Sequence, residues 1–75
     1  MIIDARGLLC PYPVVELGRA ARTAPEGARL TLLSDDPVAL TDVPAWCRMR
    51  SARLADIVHH EGYWEFQVVT ARSDG

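Results

Sequence analysis

Lysine is absent from this 75-residue chain, and all eight basic residues are arginines. That absence excludes Schiff-base chemistry, a P-loop lysine and a lysine general base. Cysteine is scarce, limited to Cys10 and Cys47. A secreted domain this small usually leans on several disulfides, so the expectation is a reduced, cytoplasmic protein with two free thiols. No apolar run exceeds three residues, Leu8-Leu9-Cys10 being one of them. A membrane helix needs about 20 and a signal-peptide core about 7–15, so neither is expected, nor is a membrane partner. An excess of positive charge is also missing: eight basic residues face ten acidic ones, for a net charge of −2. The basic residues form no run, so no direct contact with nucleic acid is expected.

What is present is ordinary for a globular domain. Apolar residues make up 49% and charged residues 24%, which excludes a disordered chain. The length predicts a single domain over residues 1–75, with residues 73–75 as a frayed tail. At this size only about 60% of the unfolded surface can be buried. A deep, enclosed active site is therefore excluded, and any chemistry belongs at an edge.

Met1–Asp4 is a candidate first strand, and Arg6-Gly7 turns the chain. Val14, Leu17, Gly18 and Ala21 fall at i, i+3, i+4 and i+7, one face of a helix, which Ala24-Pro25-Glu26-Gly27 ends. Gly18 costs about 1 kcal/mol there relative to alanine, and its size would let the helix sit close to a sheet. Ala28–Ser34 alternates as a strand, with Leu30 and Leu32 on one face and Arg29, Thr31 and Leu33 on the other. Asp35-Asp36-Pro37 is a helix-start signal in which the carboxylates are expected as caps rather than as acid–base catalysts. Pro44 argues for a short turn at Pro37–Leu40 and a second start capped by Thr41 or Asp42. The helix proper then runs through Trp46, Cys47 and Met49. Ala55–His60 and Tyr63–Arg72 read as a hairpin around Glu61-Gly62, placing His60 opposite Tyr63 and His59 opposite Trp64. Trp64, Phe66 and Val68 should then share the core face with Ala55 and Ile57.

The resulting order, β-α-β-α-β-β, predicts an α+β fold of two layers: a four-stranded mixed sheet with both helices on one face. The other face, carrying Thr31, Leu33, Gln67 and Val69, is left for water or a partner.

Cys10-Pro11-Tyr12-Pro13 carries the strongest chemical signal. Pro11 suits a first helical position, and the residue before a proline is pushed to extended angles, so Cys10 is the expected N-cap. Its sulfur would lie near the Tyr12 N–H at the positive end of the helix dipole, which lowers a thiol pKa. Thiolate is the species that attacks sulfur centres. The prolines remove amide donors, leaving little to stabilise an oxyanion, so acyl transfer is disfavoured. Cys47 lies too far along the chain for a C-x-x-C pair. It falls in step with Leu40 and Val43 and is expected in the core, the alternative being a resolving thiol for Cys10.

Asp4-Ala5-Arg6-Gly7-Leu8-Leu9-Cys10-Pro11-Tyr12-Pro13-Val14 resembles the D-x-x-G-x-x-C-P-x-P signature of the TusA, or SirA-like, sulfur-carrier family. Ser34-Asp35-Asp36-Pro37 with Asp42-Val43-Pro44-Ala45-Trp46-Cys47 resembles that family's second block. The resemblance implies a sulfurtransferase whose motif cysteine, Cys10 here, accepts a sulfane sulfur as a persulfide. It implies a cysteine desulfurase or rhodanese-like donor and a downstream acceptor protein, in tRNA thiolation, molybdenum-cofactor assembly or sulfur oxidation. It implies the sheet order 1-2-4-3 with the fourth strand antiparallel to the rest. No cofactor is expected.

The remaining candidates read as structural. His59 and His60 point to opposite faces of a strand and cannot easily share a metal, so no metal site is expected. His59 is expected to be partly buried beside Trp64, and His60 on the surface. Trp46 and Trp64 are packing residues. Arg6, Arg19 and Arg22 are candidates for a basic patch around Cys10 that would favour thiolate and dock an acidic partner, the alternative being a solvated helix face with a Glu16–Arg19 pair. The competing function is a non-catalytic protein- or RNA-binding module in which Cys10 only caps a helix.

Overall fold

A computed structural model describes residues 1–71. The expected frayed tail at 73–75 lies outside the described residues, as does Arg72. The last strand ends at Val69, short of the expected Arg72, because Thr70 leaves the sheet ladder to bond Ala28 and Pro25. The elements run β1 (Ile2–Asp4), α1 (Tyr12–Thr23), β2 (Arg29–Ser34), α2 (Ala39–Met49), β3 (Arg53–His60) and β4 (Tyr63–Val69). The sheet order is β1-β2-β4-β3. β1 is parallel to β2, and β4 runs antiparallel to both β2 and β3. The expected α+β architecture and sheet order are therefore present.

Alternation along the strands decides the faces. On β2, Leu30, Leu32 and Ser34 are buried, and they pair with Val68, Phe66 and Trp64 of β4. The helices cover this face with Leu17 from α1 and Ala39, Val43, Trp46 and Cys47 from α2. Burying each of the large aliphatic and aromatic side chains contributes about 1.5–3 kcal/mol. The opposite face carries a polar ladder: Thr31 donates to Gln67, Gln67 to Glu65, and Glu65 pairs with His60.

Three expectations need correction. Pro44 does not split α2, which is continuous over Ala39–Met49. The turn at its start is closed instead by Asp36, whose Oδ1 accepts the Val38 N–H at 3.0 Å. Proline removes only one hydrogen bond, to the carbonyl four residues earlier, and that residue is Leu40 on the exposed side of the helix. Ala55 does not share the core face, because a bulge between Leu54 and Asp56 shifts the register; Ile57 opposes Phe66 but stays exposed on the edge strand rather than in the core. Gly18 faces not the sheet but Trp46 of α2, whose indole nitrogen would lie 3.7 Å from an added Cβ.

Candidate functional site

The segment between β1 and α1 is held by the acidic residues around the start of α2. Ala5 prolongs the strand pairing through its N–H to the Leu33 carbonyl, 2.8 Å. Gly7 then turns the chain at φ +86°, a left-handed conformation that glycine adopts without a Cβ penalty. Its N–H donates to both carboxylate oxygens of Asp35, at 3.0 and 3.1 Å. The N–H of Cys10 donates to Oδ2 of Asp36 at 2.7 Å. The Cys10 thiol donates from Sγ to Oδ2 of Asp42, also at 2.7 Å. The second motif thus grips the first at three points. Asp36 is buried and Cys10 is exposed, so the loop is anchored from below while Cys10 itself stays at the surface.

Cys10 is not the N-cap. α1 begins at Tyr12 with Pro11 in the cap position, the Cys10–Pro11 peptide is cis, and no side chain caps the helix. The Tyr12 N–H, expected to meet the sulfur, donates to the Leu9 carbonyl at 2.9 Å. A backbone turn has taken the place foreseen for the thiol. The reading of Cys10 as a mere cap therefore has no hydrogen bond to rest on.

The electrostatics also reverse the expectation. The thiol's hydrogen bond to Asp42, loss of water around the sulfur, and the charges of Asp42 and Asp36 push the Cys10 thiol above its ordinary value. A helix N-terminus amounts to about half a positive charge spread over the first turn. A full negative charge in direct contact outweighs it.

The arginines do not gather around the sulfur. Arg6 pairs with Asp4 at 2.8 Å and lies 4.9 Å from the centre of the Tyr63 ring. Arg19 pairs with Glu16 at 3.4 Å. Arg19, Arg22 and Arg50 instead border a groove of about 310 Å³ that begins at Pro11 and runs between α1 and α2 over Val14, Val15 and Trp46.

Cys47 is buried, as expected, and burial pushes its thiol up. The two histidines exchange the expected burial. His59 is exposed and stacks on Trp64 at 5.1 Å, whereas His60 is half-buried between Tyr63 and Glu65 on the open face. Position beside core residues was overruled by the edge location of β3. Among the described residues no cluster of three or more His, Cys, Asp or Glu could hold a metal ion. None of their helices is long and apolar enough to cross a membrane. Sequence reasoning missed Asp36 and Asp42 as partners of Cys10. The signal lay in the second motif block, where both were read as helix caps.

A two-layer α+β domain with one exposed thiol on a clamped loop and one buried thiol defines a narrow class. Residues 1–69 match the family model for sulfurtransferase TusA, and the chain belongs to that family. Sulfur carrier protein TusA of Buchnera aphidicola is 30% identical over 67 residues, covering 89% of this chain and 85% of that protein. An Archaeoglobus fulgidus protein described as a proposed sulfur carrier is 29% identical over 68 residues, covering 91% and 93%. The crystal structure of a SirA-like protein from Desulfitobacterium hafniense superposes with a TM-score of 0.81 at 25% identity, covering 96% of this chain and all of that one.

Proposed function

We propose that this chain is a single-domain, cytoplasmic sulfur carrier that takes up a sulfane sulfur as a persulfide on Cys10 and passes it to an acceptor protein. The observation that carries the reading is the contrast between the thiols: Cys10 is exposed on an anchored rim and Cys47 is buried in the core. Thiol exchange needs access along the line of the sulfur–sulfur bond more than it needs a pocket.

Loading requires no external oxidant. The Cys10 sulfur attacks the terminal sulfur of a donor persulfide, R–S–SH. A new Cys10 S–S bond forms, the donor S–S bond breaks, and the donor leaves as a thiolate that collects the proton lost by Cys10. Cys10 is oxidised to the persulfide level as the donor cysteine is reduced to a thiol. A cysteine desulfurase or rhodanese-like protein supplies such a persulfide, and unloading is the same exchange with the acceptor as attacker. The acceptor's route is tRNA thiolation, molybdenum-cofactor assembly or sulfur oxidation. The arginine-bordered groove beside Pro11 suits the acidic surface of a relay partner.

The test is incubation with a cysteine desulfurase and cysteine, followed by intact mass. A gain of about 32 Da in the wild type and in Cys47→Ala, lost in Cys10→Ser, supports the proposal. No gain in any of them overturns it.

A further inference from the structure

The relay explains why Cys10 must be exposed, but not why an exposed nucleophile should be hydrogen-bonded to a carboxylate. Asp42 reaches Cys10 from the first turn of α2, 32 residues along the chain, and its Oδ2 accepts the thiol proton at 2.7 Å. Asp36, from the loop before α2, adds a second carboxylate on the backbone side of the same residue, 2.7 Å from its N–H. The charged groups acting on the sulfur are these two anions, while Arg6 is occupied with Asp4 and Tyr63.

We propose that Asp42 is the positioning residue of the carrier, holding the empty Cys10 as a thiol and releasing the side chain once sulfur is loaded. This rests on Cys10 being the sulfur-bearing residue. An empty thiol has a proton to donate to the carboxylate. A persulfide is a stronger acid than a thiol, and at neutral pH its terminal sulfur is an anion with no proton to give. Loading therefore converts one hydrogen bond into a repulsion between Asp42 and the new terminal sulfur. That turns the sulfane sulfur away from α2, toward the side where an acceptor must approach. The same contact slows the reaction of the empty carrier with small electrophiles, since the thiol form is the poor nucleophile. A donor whose docking surface places a cation against Asp42 would release the thiol where transfer is wanted.

The experiment compares wild type, Asp42→Asn and Asp42→Glu for the pH profile of Cys10 alkylation by iodoacetamide, read by peptide mass so that Cys47 does not contribute. Thermal melts confirm folding. In empty Asp42→Asn the midpoint moves toward the ordinary thiol value of about 8.5. Each tenfold gain in thiolate is offset by only about a threefold loss of intrinsic nucleophilicity, so alkylation at pH 7.5 becomes faster, by about threefold for each such gain. Asp42→Glu, which keeps a carboxylate, shifts the profile back toward wild type. In the loaded protein, already ionised, wild type and Asp42→Asn agree within about twofold. Should Asp42→Asn not fold, the wild-type profile still decides: its empty-form midpoint lies above about 8.5, and a midpoint at or below that value overturns the proposal. An empty-form profile unmoved by Asp42→Asn, or moved upward, also overturns it, as does a loaded form as sensitive as the empty one. Failure of the protein to load at all strikes the sulfur-carrier reading, whereas normal loading with an unmoved profile strikes only the role of Asp42.

Discussion

Asp36 accepts the backbone N–H of Cys10 at 2.7 Å through one carboxylate oxygen and that of Val38 at 3.0 Å through the other. One buried side chain thus ties the thiol-bearing loop to the start of α2. Its own N–H donates to the hydroxyl of buried Ser34, at 3.2 Å, so the anchor is itself fixed to the end of β2.

Removing that anchor has two consequences. Asp36→Ala leaves two N–H groups without their acceptor and should cost about 1–3 kcal/mol in urea unfolding. Asp36→Asn keeps an oxygen acceptor and should recover part of that loss. Because the loop sets the position of the sulfur, loading of Asp36→Ala should slow by about tenfold or more. Full stability and full loading in Asp36→Ala would show that the loop holds itself.

Gly18→Ala should stabilise the protein. The added Cβ would meet the Trp46 indole nitrogen at 3.7 Å, ordinary van der Waals contact. Alanine in a helix interior is favoured over glycine by about 0.5–1 kcal/mol. A rise in the thermal midpoint is expected, and a fall would mean that α1 and α2 have no room to accept a methyl group.

Much of this fold is legible in the sequence because its signals are local. Alternation at Leu30, Leu32, Phe66 and Val68 marks one sheet face, and Glu61-Gly62 fixes the hairpin register that sets His60 opposite Tyr63. The environment of Cys10 is not local. The flanking prolines suggest a helix cap, yet its thiol partner lies 32 residues away. Asp42 also looks like a capping residue because Pro44 looks like a helix breaker. Reading one proline as a break hides the residue that contacts the sulfur.

Asp4 provides a test of the turn that precedes the thiol. Hydrogen bonds from the Arg6 side chain and backbone, and the charge of that guanidinium, hold its carboxyl at about 2 rather than 3.8. A depressed carboxyl contributes stability above its unfolded value, and that contribution is lost as pH falls through about 4 toward about 2. Carbon NMR of the Asp4 carboxyl should show the low midpoint, returning toward 3.8 in Arg6→Ala. The same midpoint in both proteins would remove the pair from the account.

Cys47 should behave oppositely to Cys10 toward alkylating reagents, staying protected in the native state and reacting after unfolding. Burial raises its pKa, so the stabilisation from keeping it neutral is complete below the unfolded value of about 8.5 and is lost as pH rises through the folded one. The wild type should therefore lose more stability between pH 8 and pH 10 than Cys47→Ala does, measured by urea unfolding. Equal losses would mean that Cys47 ionises without cost.

The most direct test of the central claim uses the arginines. Trypsin separates the two thiols, placing Cys10 in the peptide from Gly7 to Arg19 and Cys47 in that from Leu30 to Arg48. After loading from a desulfurase and blocking with iodoacetamide, the extra sulfur, about 32 Da, is expected on the Gly7–Arg19 peptide alone. Extra sulfur confined to the Leu30–Arg48 peptide, or found on neither, would contradict it.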